Sequence, residues 1–409
     1  MDTKHYIIDS FSVENFLSIK DKQTIFFNSK INAFYGANAS GKTNFYKAMM
    51  YVKRFIKESA DPNSHGTPFI PFLLTESTRN KPSIFSMSFY CPQDKKSYKY
   101  SFSATPEKIT EEEMYDLSSS RPRLIFKRSL KSTNVATRNG FNKKMFVGNE
   151  SVRDDSLLIT FARSTNNPYA DAVYKAVHNI NYLDLSEIDK FRGQAVNILQ
   201  RYPEYHEQLV SLFKEADFSI DNFSYNVAKI TPDSLTDSPF NEKTKQYLLS
   251  MGQNITVTTT HAMRNDSGDK IGSIIFDMDT QESLGTNNFF NLAVAIIDTI
   301  NSNKILYIDE FGSSMHTELC AFIINYFIRH GQKTDAKLII NTHDVGLIKN
   351  GSLGVLLPEN IVIVEKDSLD SSVIVPLKNR MRRPDENIGK KYILGVYGGI
   401  PILDEVAEQ

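Results

Sequence analysis

The first third of the chain alternates apolar and polar residues with a period of two, which predicts β-strands. The pattern covers Phe11–Phe16 and Gln23–Phe27, and it returns at Ile84–Tyr90 and Tyr98–Phe102. The last two runs flank a Pro-Gln-Asp turn, so they predict a hairpin or meander. Between these pairs, Ile31–Tyr35 is a continuous apolar run that predicts a buried strand, and residues 44–58 predict the helix that follows it.

The middle of the chain changes to a helical period. Residues 170–217 predict helices, and Leu209, Leu212 and Phe213 share one face of the segment Tyr202–Phe218. The heptad pattern needed for a long coiled-coil arm is missing from this region. Strand patterns return at residues 255–260 and 271–278.

From residue 286 onward, helices and continuous apolar strands alternate, which indicates a parallel sheet covered on both faces. The strands are predicted at residues 304–308, 338–340 and 361–364, with helices at 289–300 and 319–327. We therefore expect an α/β fold. The predicted domains are an N-terminal lobe at 1–165, a helical insertion at 166–250, a C-terminal lobe at 251–375 and a tail at 376–409.

Composition narrows the class of protein. The 409 residues are 41% hydrophobic and 23% charged with a net charge of −1, which are globular values that do not by themselves indicate nucleic-acid or membrane binding. Two cysteines, Cys91 and Cys320, cannot form a disulfide framework and are typical of a reducing compartment. The apolar runs are all shorter than a bilayer span. We expect a cytoplasmic protein without a membrane partner.

One segment departs from this neutral balance. Residues 117–149 contain no Asp or Glu and carry eight basic residues. Such a run is either solvated loop surface or a patch for nucleic acid or an acidic partner. The basic residues are Arg121, Arg123, Lys127, Arg128, Lys131, Arg138, Lys143 and Lys144.

The sequence of Gly36–Thr43, G-A-N-A-S-G-K-T, matches the phosphate-binding P-loop pattern, and it lies between the predicted strand and helix. Backbone N–H groups of such a loop and the helix N-terminus face an anion. Lys42 is expected to reach the β- and γ-phosphates, and Thr43 to bind Mg²⁺. The predicted nucleotide contacts in the loop are Gly36, Asn38, Ala39, Ser40, Gly41, Lys42, Thr43 and Asn44.

A second motif carries two carboxylates. The apolar run 305–308 ends in Asp309 and Glu310, as in a Walker B strand. Asp309 is expected to hold the Mg²⁺ shell and Glu310 to polarise the attacking water as general base. The alternative is a solvated Asp-Glu pair at a strand end.

Three further segments contain residues that could contact a nucleotide or a second subunit. Ser283, Gly285 and Thr286 precede a helix and could bind an anion, or Ser283 could simply cap that helix. His343 follows a predicted strand, where it could sense a γ-phosphate or be structural. Residues 312–316 could contact a facing subunit or form a turn and cap.

In this order the motifs resemble the ABC-type ATPase heads of the SMC, DNA-repair and OLD-nuclease group, as does Val13-Glu14-Asn15-Phe16. The resemblance implies an ABC-ATPase head with a mixed or parallel P-loop sheet, an antiparallel β subdomain and a helical insertion. It also implies ATP and Mg²⁺ as cofactors and a homodimer or higher oligomer that sandwiches ATP. Ser283, Gly285 and Thr286 would then act in trans, and His343 in cis.

Three segments carry a resemblance to a narrower group of proteins: Glu282–Thr286, Asp309-Glu310 with Met315-His316, and the tail Tyr392–Pro401. They are similar to prokaryotic ATPases of the RloA and AbiL type, with the PARIS ATPase subunit (AriA) as a close alternative. That resemblance implies an antiviral, abortive-infection role with an effector, a nuclease or toxin, encoded next door. The sequence departs from the transporter ATPases in three ways: the Q-loop glutamine is unassigned, the signature is not L-S-G-G-Q, and His316 replaces an aspartate.

Other functions stay open. An OLD-like nuclease is weakly suggested by Ile361–Val364 followed by Glu365 and Asp367, although few residues remain for a further α/β domain. A DNA-repair or SMC-like ATPase acting directly on DNA would use the basic segment 117–149. The basic tail residues either dock a partner or are solvated; they are Lys378, Arg380, Arg382, Arg383, Lys390 and Lys391.

Overall fold

The computed structural model describes residues 5–129, 132–137, 152–232, 241–313, 315–348, 354–383 and 386–400. About half of the basic segment 117–149 and the end of the tail therefore lie outside the described residues. Among the described residues, the helices are all too short or too polar to traverse a lipid bilayer.

A six-stranded sheet forms the centre of the molecule. Its strands in spatial order are β16 (Ser372–Pro376), β15 (Ile361–Lys366), β3 (Ile31–Tyr35), β14 (Lys337–Asn341), β13 (Ile305–Asp309) and β9 (Ile180–Asp184). Strands β15, β3, β14, β13 and β9 run parallel to one another, and the edge strand β16 is antiparallel to β15. Because parallel strands end at the same edge, the segments that follow β3, β13 and β14 lie side by side.

A seven-stranded antiparallel sheet lies against this centre. Its spatial order is β2 (Gln23–Phe26), β1 (Ile7–Glu14), β4 (Ser83–Cys91), β5 (Lys96–Ala104), β6 (Ile109–Asp116), β7 (Arg123–Ser129) and β8 (Ser132–Thr137). Alternate residues of β4 are buried, as the period of two predicts. A third, three-stranded antiparallel sheet consists of β10 (Asn222–Lys229), β11 (Gln253–Arg264) and β12 (Lys270–Asp277).

The described residues form eleven α-helices, several of which cover the two faces of the central sheet. They are α1 (Lys42–Glu58), α2 (Glu76–Arg79), α3 (Leu158–Arg163), α4 (Pro168–His178), α5 (Arg192–Arg201), α6 (Tyr205–Glu215), α7 (Glu242–Met251), α8 (Met278–Gln281), α9 (Leu284–Asn301), α10 (Thr317–Gly331) and α11 (Ile388–Ile393). Helix α9 is apolar on nearly every side because it is buried over most of its length. Helix α4 begins with Pro168 after Asn167, whose side chain accepts hydrogen bonds from two backbone amides.

The central sheet separates two hydrophobic cores. Along β3, Ile31, Ala33 and Tyr35 belong to one core, and Phe34 points into the other. The first core contains the buried faces of α5, α6, α9 and α10. The second contains α1, α3, α4 and the inner face of the seven-stranded sheet. Because each face of the central sheet packs against a core, its inner strands are apolar on both faces, which produces runs of consecutive apolar residues in the sequence.

The α/β class predicted from the sequence is confirmed, with its mixed sheet and antiparallel β subdomain. One local prediction was wrong. The segment 170–217 is not helical throughout, because Ile180–Asp184 forms the edge strand β9 of the central sheet. Five residues between two helices carry too short an alternation to stand out, and pairing with β13 decides their conformation.

Candidate functional site

The loop between β3 and α1 has the conformation of an anion-binding turn. Gly41 precedes α1 with φ of 104°, and Ala39 also adopts a positive φ of 63°. The first turn of α1, Lys42–Phe45, contains no acidic side chain. The positive end of the helix dipole and the N–H groups of its first turn therefore face the cleft.

Glycine is required at two positions of this loop. A Cβ on Gly36 would collide with the carbonyl oxygen of Val364 in β15. A Cβ on Gly41 would collide with the hydroxyls of Ser372 and Ser18, and φ of +104° disfavours a side chain there in any case. The two glycines allow neighbouring strands to approach the loop backbone closely.

Two serines that the sequence did not single out support the loop. The Ser372 hydroxyl donates to the carbonyl oxygen of Ser40 over 2.6 Å, and it lies 2.7 Å from the Ser18 hydroxyl. The Asn44 amide donates to Ser18 Oγ over 2.6 Å. Since Ser18 and Ser372 are 354 residues apart, only the fold brings them together. This network holds both ends of the loop in place.

Lys42 is 7% exposed, and its ammonium donates to the carbonyl oxygens of Gly36 (2.9 Å) and Ala37 (3.1 Å). Burial lowers the pKa of Lys42 to about 8, although the carboxylates of Glu310 and Asp309 favour its charged form. A buried ammonium whose hydrogen-bond acceptors are neutral carbonyl oxygens would gain strongly from an anionic ligand. The loop therefore provides a preformed cationic site.

The two carboxylates of the second motif lie at the end of β13. Asp309 is 3% exposed, and its Oδ1 accepts hydrogen bonds from the Asn341 amide (2.7 Å) and the Glu310 backbone N–H (3.2 Å). Asn341, at the end of β14, also accepts from the Tyr307 hydroxyl. It was not singled out from the sequence, because its role depends on β14 lying beside β13. Glu310 has a left-handed backbone with φ of 56°, a strained conformation typical of functional sites.

His343 follows β14 and faces the same cleft. Burial lowers its pKa, and the positive charge of Lys42 lowers it further, while Asp309 opposes both effects. The imidazole is therefore neutral at pH 7 and can accept or donate a hydrogen bond.

The P-loop, Glu310 and His343 line one cleft of about 1200 Å³, whereas Asp309 lies behind Glu310 and is not among the described lining residues. The cleft brings together the P-loop, Glu310 and His343 with residues that the sequence did not assign to it. The lining residues are Gly36, Ala37, Asn38, Ala39, Gly41, Lys42, Thr43, Asn44, Glu310, His343, Val345, Tyr392, Ile393 and Ile400. Ser40 differs from its neighbours: its hydroxyl is buried and has no hydrogen-bond partner among the described residues. The donors predicted for Mg²⁺, the Thr43 hydroxyl and the Asp309 carboxylate, are hard oxygen ligands of the kind that Mg²⁺ prefers.

Strand β9 adds a carboxylate near this cleft. Asp184 is the register partner of Asp309 in the adjacent parallel strand. Burial raises the pKa of Tyr46 in α1, and the carboxylates of Asp184, Asp309 and Glu187 raise it further, so these groups lie near one another. Asp184 accepts hydrogen bonds from both the amide and the hydroxyl of Ser186. The sequence signal for this residue was a short, partly apolar segment, 180–183, that is followed by Asp184. It was missed because residues 170–217 were predicted to be helical.

Ser283, Gly285 and Thr286 are not among the described residues that line this cleft. Ser283 caps α9, and its hydroxyl accepts from the Thr286 N–H over 3.0 Å. The preceding Glu282 accepts from the Thr259 hydroxyl (2.5 Å) and lies 2.6 Å from His261 Nε2. The capping interpretation of Ser283 is therefore correct, and it does not exclude an anion at the same helix end.

The remaining predicted features have structural partners. His316 caps α10 by accepting from the Glu318 N–H, which agrees with the turn-and-cap alternative; Ser314 in the same segment lies outside the described residues. Glu365 is bound by the Arg380 guanidinium, and this contact attaches the tail to β15. Arg380 is thus one basic tail residue with an intramolecular role.

The sequence and the fold were compared with known proteins. The family model described as "AAA domain, putative AbiEii toxin, Type IV TA system" matches residues 31–349. None of the curated proteins compared with this chain matches it.

Three solved structures resemble the fold across most of its length. An SMC head bound to the C-terminal winged-helix domain of ScpA has 14% identity and a TM-score of 0.47, covering 90% of this chain and 97% of that one. The SMC head domain from Thermotoga maritima has 14% identity and a TM-score of 0.43, covering 90% and 98%. An SMC head with an extended coiled coil, bound to the C-terminal domain of ScpA derived from Pyrococcus furiosus, has 12% identity and a TM-score of 0.43, covering 91% and 97%.

Proposed function

We propose that this chain, which belongs to the AAA-domain family whose model it matches, is a magnesium-dependent ATPase. The observation that carries the proposal is a single cleft in which the buried Lys42 ammonium, Glu310 and His343 face the N-terminus of α1. A triphosphate matches this arrangement because its charge would replace two carbonyl oxygens as the partner of Lys42.

The proposed chemistry assigns a role to each side chain. Lys42 and the loop N–H groups bind the β- and γ-phosphates, and Thr43 with Asp309 would hold Mg²⁺, which would neutralise phosphate charge. Glu310 orients a water for in-line attack and accepts its proton. His343, neutral at pH 7, contacts the γ-phosphate through a ring nitrogen. Asn341 positions Asp309 through the 2.7 Å hydrogen bond.

We further propose that two copies enclose each nucleotide, in a homodimer or a larger homo-oligomer. Ser283 caps α9, Gly285 and Thr286 belong to its first turn, and none of the three lines the P-loop cleft of its own chain. Placed over the cleft of a second copy, they would add anion-binding groups to the γ-phosphate side. ATP binding would then favour the assembled state, and hydrolysis would release it.

The proposed biological role is an ATPase subunit of a prokaryotic antiviral, abortive-infection system of the RloA, AbiL or PARIS type, acting in the cytoplasm. The assembled state would sense a trigger and control an effector, a nuclease or toxin, from a neighbouring gene. The division into lobes at 1–165 and 251–375, an insertion at 166–250 and a tail at 376–409 belongs to the same proposal.

The decisive experiment uses Glu310→Gln. This variant keeps the size and hydrogen bonding of the side chain but removes the base, so ATP hydrolysis should fall by roughly 10²- to 10⁴-fold. ATP binding should persist, and ATP with Mg²⁺ should convert the protein from monomer to a larger assembly in light scattering. Glu359→Gln, at an exposed position, is the matched control and should behave as wild type.

Three outcomes would contradict the proposal. If Glu310→Gln hydrolyses ATP at the wild-type rate, Glu310 is not the catalytic base. If the purified chain cleaves DNA with Mg²⁺ and Lys42→Ala retains this cleavage, the OLD-like nuclease is favoured. If ATP hydrolysis depends on added DNA, a DNA-repair ATPase is favoured. The defence role is tested separately by phage plating on cells that carry the chain with its neighbouring genes, where Lys42→Ala should abolish protection.

A further inference from the structure

The C-terminal segment Ile388–Ile400 is firmly attached beside the nucleotide cleft. Its anchoring side chains are buried, with Ile388, Tyr392 and Tyr397 between 1% and 6% exposed. The Tyr392 hydroxyl donates to the carbonyl oxygen of Gly399 over 3.1 Å, and its ring packs edge-on against Tyr35 of β3 at 5.6 Å. The segment is therefore a fixed part of the cleft wall.

The same segment exposes three apolar side chains, Ile393, Leu394 and Val396, which we call the tail patch. Their exposed fractions are 62%, 66% and 59%. Ile393 also lines the cleft, so the patch is continuous with the proposed nucleotide site. Leu394 and Val396 are not among the described residues that line the cleft, so contact with a nucleotide does not account for their exposure. An anchored segment that keeps them in water is typical of a surface that another molecule covers.

A surface with complementary properties lies on the other half of the proposed site. Leu284, between Ser283 and Gly285, is 73% exposed. Acidic residues surround it in sequence and space: Asp189, Asp279 and Glu282 line the same surface depression as Leu284. We call Leu284 with these three carboxylates the signature face.

The charges of the two surfaces are of opposite sign. Lys390 is exposed on α11, the helix that contains Ile393. Arg382 and Arg383 are also exposed, and their backbone amides donate to Glu386, which accepts from the Tyr397 hydroxyl next to Val396. On the signature face, Asp189 and Asp279 are exposed, and Arg192 already neutralises part of the charge on Asp279 at 3.1 Å. An apolar centre with a rim of complementary charge is the usual composition of a specific protein interface.

We propose that the tail patch of one copy packs against the signature face of a second copy when ATP is bound. The inference rests on the proposed two-copy ATPase, in which Ser283 completes the cleft of the other chain. Leu284 follows Ser283 directly, so it would reach the rim of that cleft, where Ile393 lies and Leu394 follows it in sequence. In a two-fold dimer the contact occurs twice. The C-terminal segment thus belongs to the dimer interface and limits assembly to chains that carry both surfaces.

Cross-linking between two different variants tests this contact. Leu284→Cys and Leu394→Cys are prepared separately, each combined with Glu310→Gln to retain ATP, then mixed and treated with a short bismaleimide. The native Cys91 and Cys320 are buried and contribute little background. The expected result is a covalent dimer of the two variants that requires ATP and Mg²⁺. Phe26→Cys, at a 61% exposed position on β2, replaces Leu394→Cys in the control and should give none.

A charge substitution supplies the second measurement. Leu394→Asp in the Glu310→Gln background should bind an ATP analogue normally but weaken ATP-dependent dimerisation by at least about tenfold. Ile275→Asp, at a 67% exposed position on β12, is the matched control. If Glu310→Gln alone fails to assemble with ATP, the two-copy function is overturned and this contact with it. If it assembles while cross-linking fails and Leu394→Asp assembles normally, only the tail contact is overturned.

Discussion

At the scale of single residues, the P-loop and Glu310 contain features that are energetically unfavourable in the free protein and that a bound anionic ligand would offset. Lys42 is buried, and its ammonium donates to the carbonyl oxygens of Gly36 and Ala37, while Glu310 has a left-handed backbone. Gly41 occupies a conformation that a side chain would prevent. Each feature costs stability in the free protein, which is expected where groups are arranged in advance for a charged ligand.

The Lys42 ammonium predicts a pH dependence of nucleotide binding. Its pKa in the free protein is about 8, and a polyphosphate would raise that pKa by favouring the charged form. Affinity should therefore be constant below pH 8 and fall as the pH rises above it, by up to about tenfold per pH unit. Titration with a fluorescent ATP analogue at several pH values measures this. Lys42→Arg remains charged and should show no such fall; an equal fall in both would contradict the prediction.

Gly41→Ala should disrupt the loop by a steric clash. The new Cβ would meet the Ser372 and Ser18 hydroxyls, and we expect ATP affinity to drop by at least about tenfold, corresponding to roughly 1.4 kcal/mol. Gly268→Ala is the matched control because Gly268 also has a positive φ, of +92°, but its Cβ would meet nothing within 4 Å. Calorimetric ATP binding to both variants separates clash from backbone strain. Equal loss in the two would refute the steric explanation.

At the scale of elements, the order of strands in the central sheet positions the cleft. Strands β3, β14 and β13 are consecutive neighbours, so Gly36, His343 and Asp309 follow the same edge. The seven-stranded sheet is attached to this centre partly through Glu112 of β6. Its buried carboxylate accepts from the Leu158 N–H (2.7 Å), the Ile159 N–H (2.9 Å) and the Tyr100 hydroxyl (2.9 Å).

Glu112→Ala should destabilise the protein by about 3–5 kcal/mol, the usual cost of breaking a buried, hydrogen-bonded charge. Two amides at the start of α3 and the Tyr100 hydroxyl would lose their acceptor, and Arg128 would lose a carboxylate 3.9 Å away. Chemical denaturation measures the free energy of unfolding. Glu111→Ala, at the exposed neighbouring position, should change it by less than about 0.5 kcal/mol. Similar values for both would mean that the Glu112 network is not important for stability.

At the scale of the whole molecule, the predicted site residues fall on two surfaces. The P-loop, Glu310 and His343 share one cleft, and Leu284, the residue after Ser283, lines a different depression with Asp279 and Asn291. Helix α9 is buried over most of its length, so Ser283 is held in place by the first hydrophobic core. Under the proposed function, these two surfaces are halves of one site, and self-association would complete it.

Mixing two inactive variants tests this division. Lys42→Ala keeps an intact Ser283, and Ser283→Arg keeps an intact P-loop, so a mixed dimer contains one complete site. Random pairing should restore roughly a quarter of the wild-type sites, measured as ATP hydrolysis by the mixture. Mixing Lys42→Ala with Glu310→Gln should restore none, because both variants damage the P-loop side. Activity no higher than that of the separate variants would contradict action in trans.

The amino-acid sequence by itself determined the elements with strong local signals. The P-loop between Ile31–Tyr35 and α1, the strand ending in Asp309 and the alternating strands β4 and β5 are all where the sequence predicts them. Periodicity, glycine positions and buried strands depend on neighbouring residues, so they can be recognised in a short window. The α/β class follows from the same patterns.

Tertiary structure alone decided which distant residues meet. Ser18 with Ser372, Asn341 with Asp309, and Asp184 beside Asp309 depend on strand order in the sheet. Local periodicity reports which residues are buried but not which strands pair, because pairing is settled by packing across the whole core. The same reason explains why β9 was hidden in a helical pattern and why the tail lines the cleft.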